Sequence, residues 1–132
     1  MAARIRNVTV DCRDWRPLVA FWAAAAALSE DPENPNEPDD PEGLLVGPDG
    51  ISLLFLPVPE PKTVKHRLHL DLIPADRTRD EEVERLLGLG STLAAYHRRD
   101  DGSGWVTLAD PEGNEFCVVR SDAERTPPGA AQ

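Results

Sequence analysis

Cysteine is scarce in this sequence, which has only 2 cysteines in 132 residues. Small secreted domains without a sufficient core depend on several disulfides, and two cysteines cannot supply such a framework. At 132 residues, 40% of them hydrophobic, the chain is large enough and apolar enough to bury a core of its own. We therefore expect Cys12 and Cys117 to be free thiols.

Long apolar runs and an excess of basic charge are also missing. The longest apolar stretch, residues 18–28, is too short to span a bilayer. The chain does not open on a basic segment and apolar core of the kind that forms a secretory signal. A formal net charge of −10 disfavours both nucleic acids and anionic lipid surfaces as partners. We predict a cytoplasmic protein that binds neither nucleic acid nor membrane.

The first half of the chain begins with a predicted strand and helix. Polar and apolar residues alternate over residues 4–12, as in a strand with one buried face. Asp14 can cap a helix whose apolar residues recur at helical spacing between Leu18 and Leu28. Residues 29–43 are dominated by acidic residues, asparagine and proline, which predicts an irregular exposed loop with the length of a lid.

The second half repeats the strand-then-helix pattern. Residues 67–73 predict a strand with Leu68, Leu70 and Leu72 under a helix, and Asp76 or Thr78 can cap that helix. Further strands are predicted at residues 44–46, 51–58, 92–97, 105–109 and 115–120.

A faint internal repeat relates the two halves. The strand from Asn7 to a capping Asp14 matches the stretch from His69 to Asp76. The turn Pro48-Asp49-Gly50 matches Pro111-Glu112-Gly113, and each precedes an apolar strand. Because both landmarks keep nearly the same spacing, the repeat favours two similar modules over a single ferredoxin-like βαββαβ domain.

Three stretches carry a resemblance to a known family. Residues 105–119 resemble the strand–turn–strand that closes glyoxalase-like domains, and residues 65–72 resemble the strand that opens their second half. Residues 4–28 resemble their opening strand and helix. The chain is thus similar to the vicinal oxygen chelate superfamily, which includes glyoxalases, bleomycin-resistance proteins and extradiol dioxygenases.

The resemblance implies an α+β fold in which two βαβββ-type modules form a cupped mixed sheet with helices on the outer face. We expect the modules at residues 1–62 and 63–120, within one structural domain. The acidic loop at 29–43 then takes the place of a regular strand. Residues 121–132, rich in proline, glycine and alanine at their end, predict a disordered tail. Members of the family often complete the cup by dimerisation, so a homodimer is expected.

Strand alternation predicts which side chains face the cup and form a ligand pocket. The predicted pocket residues are Asn7, Thr9, Leu54, Leu56, His69, Asp71, Trp105, Glu115 and Cys117. Several of them are polar beyond what packing alone requires, which is typical of a binding surface for a small organic molecule.

The family's metal positions map poorly onto this sequence. In metal-dependent relatives four cup-facing positions bind a divalent cation, and here they fall on Asn7, on Leu54 or Leu56, on His69 and on Cys117. Leucine cannot coordinate a metal, and His69 is the one strong ligand. We therefore expect no cofactor. The alternative is Zn²⁺, Ni²⁺, Mn²⁺ or Fe²⁺ held by His69 and Cys117 with help from Glu115.

Three functions stay open on these grounds. The first is a metal-independent protein that binds a small molecule, as in the drug-sequestering branch of the family. The second is an enzyme of lyase, isomerase or dioxygenase type, either metal-dependent or with His69 and Glu115 as a general acid–base pair. The third is a dimerising module without a ligand.

Overall fold

Two separate β-sheets organise the chain, one with three strands and one with four. The computed structural model describes residues 1–125. The three-stranded sheet lies in a compact unit formed by Met1–Thr63, and the four-stranded sheet lies in a second unit that begins at Val64. Each unit also contains a helix of at least 10 residues. The predicted α+β fold class is confirmed.

The first unit has the element order β1 (Val8–Cys12), α1 (Trp15–Ala26), β2 (Gly43–Val46) and β3 (Ser52–Pro57). Strand β3 is central, parallel to β1 and antiparallel to β2. The first and last strands of the unit are therefore neighbours in the sheet.

Helix α1 begins where its sequence indicates, and it ends at Ala26, two residues before the end of the predicted apolar face at Leu28. The Asp14 carboxylate accepts a hydrogen bond from the Arg16 backbone N–H at 3.1 Å, and Ala27 closes the helix in the left-handed region with φ 55°. The apolar face of α1 packs on the sheet. It buries Trp15, Leu18, Phe21, Trp22 and Ala25, and the strands bury Leu45, Leu53 and Phe55.

The acidic loop between α1 and β2 contains no strand of the sheet. Only Ser29 forms a bridge with Val46, through backbone hydrogen bonds of 2.9 and 2.8 Å. Further along, the Asn36 side chain donates to the Leu44 carbonyl and accepts from the Leu44 N–H, both at 2.9 Å. The indole N–H of Trp15 donates to the Asp40 carbonyl at 3.0 Å. The loop is therefore tied to both α1 and β2, and β2 begins at Gly43, inside the stretch predicted to be irregular.

The second unit has six elements: β4 (Asp71–Leu72), α2 (Arg79–Gly88), β5 (Thr92–Arg98), β6 (Gly104–Ala109), β7 (Glu115–Val119) and α3 (Asp122–Arg125). The sheet order is β4-β7-β6-β5, with β4 parallel to β7 and the other neighbours antiparallel. As in the first unit, the first strand pairs with the last.

The predicted strand at residues 67–73 is much shorter in the structure. Only Asp71 and Leu72 pair with β7, and Leu68 is 74% exposed instead of lying under a helix. The register explains this, because Asp71 lies opposite Cys117 and β7 begins two residues earlier. Residues before His69 therefore have no strand backbone beside them with which to pair.

Thr78, and not Asp76, caps helix α2. The Thr78 hydroxyl accepts from the Glu81 N–H at 3.1 Å, and the Glu81 carboxylate accepts from the Thr78 N–H at 2.8 Å. This reciprocal capping box satisfies two backbone donors, which a lone aspartate cannot do. The predicted repeat matched Asp76 with the helix-capping Asp14, and this part of the prediction is wrong because Asp76 does not cap α2.

The first residues of the predicted disordered tail have regular structure. Asp122–Arg125 forms a single helical turn, and the Glu124 carboxylate accepts from the backbone N–H of Ser121 at 2.9 Å and of Arg79 at 2.6 Å. These bonds attach the turn to the start of α2. The rest of the predicted tail, residues 126–132, lies outside the described residues.

Cys12 and Cys117 are not joined in a disulfide, as predicted, and both are buried. Across residues 1–125, none of the helices combines the length and the apolar character needed to cross a bilayer.

Glu82 on α2 should make the stability of the fold sensitive to acid. Its side chain is 8% exposed and accepts from Arg85 at 2.7 Å and from Arg77 at 3.1 Å. The Arg85 hydrogen bond lowers the pKa of Glu82 more than burial raises it. The ion pair therefore stabilises the fold above the usual glutamate pKa, and this contribution is lost as the pH falls through the lower pKa of the folded state.

Glu82→Gln should cost about 1–2 kcal/mol of unfolding free energy at pH 7. The difference from wild type should shrink toward zero in urea melts at successively lower pH below about 4.3. Glu84→Gln, on an exposed position of the same helix, is the control and should change little. A deficit for Glu82→Gln that persists unchanged at pH 3 would contradict the role of the charge.

Candidate functional site

One face of the second sheet carries a row of polar side chains across three strands. Asp71 on β4 lies opposite Cys117 on β7, and Cys117 lies opposite Thr107 on β6. Residues that are direct partners in a ladder project to the same face of a sheet. The row is therefore a consequence of register, and Phe116 and Val118 of β7 face the other side, toward α2.

His69 completes this row from just outside the sheet. Its Nδ1 lies 3.4 Å from Oδ1 of Asp71 and 3.7 Å from Sγ of Cys117. One donor atom from each of the three side chains lies within 4.8 Å of the other two. Among residues 1–125, these three residues form the one group of potential metal ligands of this size. We call His69, Asp71 and Cys117 the donor cluster. His69 and Asp71 are exposed, whereas Cys117 is buried.

Both contacts of His69 use the same ring nitrogen. In a Cys–His–Asp relay the thiol and the carboxylate bond to different nitrogens of the imidazole, so that a proton can pass through the ring. Here Nδ1 faces both Asp71 and Cys117. With both contacts on Nδ1, the three side chains do not form a relay through the ring, and their donor atoms lie together as a potential ligand set.

The environment of Cys117 does not activate the thiol by itself. Burial raises its pKa, and the negative charge of Asp71 raises it further, against the lowering effects of Thr107 and Lys65. The Thr107 hydroxyl lies 3.4 Å from Sγ. The thiol is therefore protonated at neutral pH unless a cation is bound beside it, because metal coordination deprotonates a thiol.

Glu115 and Trp105 flank the donor cluster on the same sheet face. The Glu115 carboxylate accepts a hydrogen bond from the His66 backbone N–H at 2.9 Å, and Glu115 is not a member of the cluster. Trp105 is half-buried and stacks on His97 with ring centroids 4.7 Å apart. His97 is exposed, and its ring packs against the indole.

The other predicted pocket residues lie in the first unit. The Asn7 amide donates to the Thr9 hydroxyl at 2.8 Å. Thr9 is the ladder partner of Leu54, and both lie on the face opposite to that of the buried Phe55. Leu56 is 37% exposed. Within this unit Asn7, Thr9 and Leu54 occupy the positions that His69, Asp71 and Cys117 occupy in the other, but leucine supplies no donor.

The metal-binding alternative drawn from the sequence gave Glu115 as the helper of His69 and Cys117 and did not include Asp71, and Thr107 was overlooked. The parity of residues 69 and 71 was a usable signal, because a histidine and an aspartate two residues apart project to one face of an extended segment. Thr107 has no comparable local signal. Its contact with Cys117 depends on the pairing of β6 with β7.

A family comparison identifies the architecture. The model of the glyoxalase-like domain family matches residues 7–119. The chain belongs to the glyoxalase-like domain family. The match confirms the resemblance to the vicinal oxygen chelate superfamily. No curated protein sequence matches the chain.

Solved structures of the same family share the fold. A glyoxalase/bleomycin resistance protein/dioxygenase family enzyme from Burkholderia phytofirmans PsJN is 20% identical, with 88% of this chain and 97% of that chain covered and a TM-score of 0.66. The fosfomycin resistance protein FosX from Listeria monocytogenes is 17% identical, with 94% and 96% covered and a TM-score of 0.70.

A third similar structure is a FosX mutant from Listeria monocytogenes in complex with Mn(II) and 1S,2S-dihydroxypropylphosphonic acid. It is 16% identical, with 95% of each chain covered and a TM-score of 0.66. At these identities the likeness shows the fold alone.

Two of the three separations in the donor cluster of this glyoxalase-like chain are close to those expected around a bound cation. Tetrahedral coordination at about 2.0 Å to nitrogen and oxygen and about 2.3 Å to sulfur separates the donors by about 3.3–3.6 Å. The Nδ1–Oδ1 and Nδ1–Sγ distances of 3.4 and 3.7 Å are close to this range, whereas the three donor atoms as a set lie within 4.8 Å, which is wider than the range. Nitrogen, oxygen and sulfur donors together suit Zn²⁺ better than hard cations such as Mg²⁺ or Ca²⁺.

Proposed function

We propose that this glyoxalase-like protein binds a small organic molecule beside a divalent cation held by the donor cluster of the second unit. The observation that carries the proposal is the convergence of one donor atom each from His69, Asp71 and Cys117 within 4.8 Å of one another. It replaces the expectation of no cofactor, which rested on the family's positions and left out Asp71.

Each side chain at this site has a distinct part in the proposal. His69, Asp71 and Cys117 hold the cation, Thr107 orients the thiol at 3.4 Å, and the half-buried Trp105 offers an aromatic face to the organic part of the ligand. A cation with three protein ligands keeps a position for a ligand oxygen and stabilises negative charge that develops on it.

A metal-independent binding protein is the second candidate, and one observation favours it. The polar groups of the cluster partner one another directly, since Nδ1 of His69 lies 3.4 Å from Asp71 and the Thr107 hydroxyl lies 3.4 Å from the Cys117 sulfur. Such a network satisfies its members without a cation. In this case the same face would bind its ligand by hydrogen bonds and by contact with Trp105.

Metal content distinguishes the two candidates. The protein is purified without an affinity tag, its metal is measured by plasma mass spectrometry, and the metal-free form is titrated with Zn²⁺ by calorimetry. We expect about one Zn²⁺ per chain. His69→Ala should reduce the affinity at least about 100-fold, whereas His97→Ala, on the same sheet face but outside the cluster, should leave it unchanged.

The outcomes of these measurements distinguish the cation site from the metal-independent candidate. A wild-type protein that binds none of Zn²⁺, Ni²⁺, Mn²⁺ or Fe²⁺ overturns the cation site and leaves the metal-independent candidate, to be screened with hydrophobic cationic small molecules. Equal losses in His69→Ala and His97→Ala would show that the effect is not specific to the cluster.

Several other expectations from the sequence stay predictions. They include an enzymatic role as a lyase, isomerase or dioxygenase, a homodimer, and a cytoplasmic location. The roles of Asn7, Thr9, Leu54 and Leu56 in ligand binding also stay predictions, as does a general acid–base pair of His69 and Glu115.

A further inference from the structure

We propose that Glu115 is a positioning residue that holds the His69 segment against Cys117, and that it acts through the peptide backbone instead of touching the cation or the ligand. The inference rests on the cation site proposed above. It assigns to Glu115 a role different from that of an acid, a base or a metal ligand.

The segment that carries His69 has little regular structure to hold it. Residues 64–70 belong to no helix or strand, and Val64 and Leu68 are each 74% exposed. A ligand-bearing histidine on such a segment needs anchors, because cation affinity depends on donors that are already in place.

Two hydrogen bonds bracket His69 and attach the segment to β7. Upstream, the His66 N–H donates to Oε1 of Glu115 at 2.9 Å. Downstream, the Cys117 N–H donates to the Leu70 carbonyl at 2.8 Å. Both anchors come from the same strand that provides the Cys117 donor, so they fix the histidine relative to the sulfur.

The sheet register explains why a side chain is needed at the upstream anchor. Parallel pairing of β4 with β7 begins at Asp71 opposite Cys117. Continued by two residues it would place His69 opposite Glu115, which is the first residue of β7. Beyond that point no strand backbone is present to accept from His66. The Glu115 carboxylate takes the place of the missing carbonyl with a charge-assisted bond.

Removing this anchor should loosen His69 without removing a donor atom. Substitutions of groups that orient metal ligands typically reduce affinity about 10–100-fold. We expect a loss of this size for Glu115→Ala. Glu115→Gln keeps an oxygen that accepts from the His66 N–H, and it should bind within about 3-fold of wild type.

Cobalt titration tests this role with a readout other than activity. Co²⁺ substitutes for Zn²⁺ in such sites, and its absorption spectrum reports thiolate coordination and donor geometry. Wild type, Glu115→Ala and Glu115→Gln are titrated metal-free, with circular dichroism and thermal melts to confirm that each variant is folded. The expected result is weakened binding with an altered spectrum for Glu115→Ala, and rescue of both by Glu115→Gln.

Three results would overturn the inference in different ways. If Glu115→Ala binds Co²⁺ like wild type, Glu115 has no positioning role. If Glu115→Gln loses as much affinity as Glu115→Ala, the carboxylate charge acts on the cation directly and the backbone anchor is not the cause. If wild type itself binds no cation, the proposed function fails, and the inference fails with it.

Discussion

Cys117→Ala should reduce the affinity for Zn²⁺ by more than about 100-fold and abolish the thiolate band of the Co²⁺ form. The sulfur is the most buried donor of the cluster, since Cys117 is 3% exposed. It is also the donor whose protonation state changes most on metal binding, because burial raises the pKa of the free thiol. Binding should therefore release a proton, which calorimetry in buffers of different ionisation enthalpy detects.

Cys12→Ala is a matched control for this substitution. Cys12 is a buried cysteine outside any disulfide, with 5% exposure, and it lies in the first unit at the end of β1. Both substitutions remove one sulfur from a buried position, so both should cost a similar amount of stability, about 1 kcal/mol. Only Cys117→Ala should affect metal binding. Unaltered Zn²⁺ affinity in Cys117→Ala would exclude the thiol as a donor.

Gly104→Ala should destabilise the second unit by about 3 kcal/mol or more. Gly104 has φ +98°, in a region that residues with a Cβ rarely adopt. A Cβ at this position would lie 1.9 Å from the His97 carbonyl oxygen on β5. Because the obstacle is backbone, relief requires that β5 and β6 separate where they pair.

Gly102→Ala isolates the effect of the close contact. Gly102 also has a positive φ, of +87°, but no atom lies within 4 Å of an added Cβ. The carbonyls of both glycines accept from the buried Arg79 guanidinium, at 3.0 Å for Gly102 and 3.1 Å for Gly104. Gly102→Ala should cost only the strain of its backbone conformation, about 1–2 kcal/mol. Chemical denaturation of the two variants gives the comparison, and equal losses would contradict the contact as the cause.

Local sequence patterns determined most of the elements of this protein. Helix α1 follows from the Asp14 cap and the apolar spacing of Leu18 to Ala25, and both signals lie within a few residues of the helix they specify. The strands β6 and β7 follow from alternation on either side of a turn that ends at Gly113. The same stretch carried the resemblance that the family match over residues 7–119 confirms. Such local signals predict the elements correctly because they depend only on neighbours along the chain.

The tertiary structure decided the site, because its donors depend on which strands pair and in which register. Asp71 joins the cluster because β4 meets β7 in parallel at Cys117, a partner 46 residues away that no local pattern indicates. In the same register β4 begins only at Asp71, Leu68 is exposed, and the Glu115 carboxylate lies against the His66 backbone. The sequence thus determined which polar residues face one side of each strand. Long-range pairing alone determined that His69, Asp71 and Cys117 converge while their counterparts Asn7, Thr9 and Leu54 provide no such set of donors.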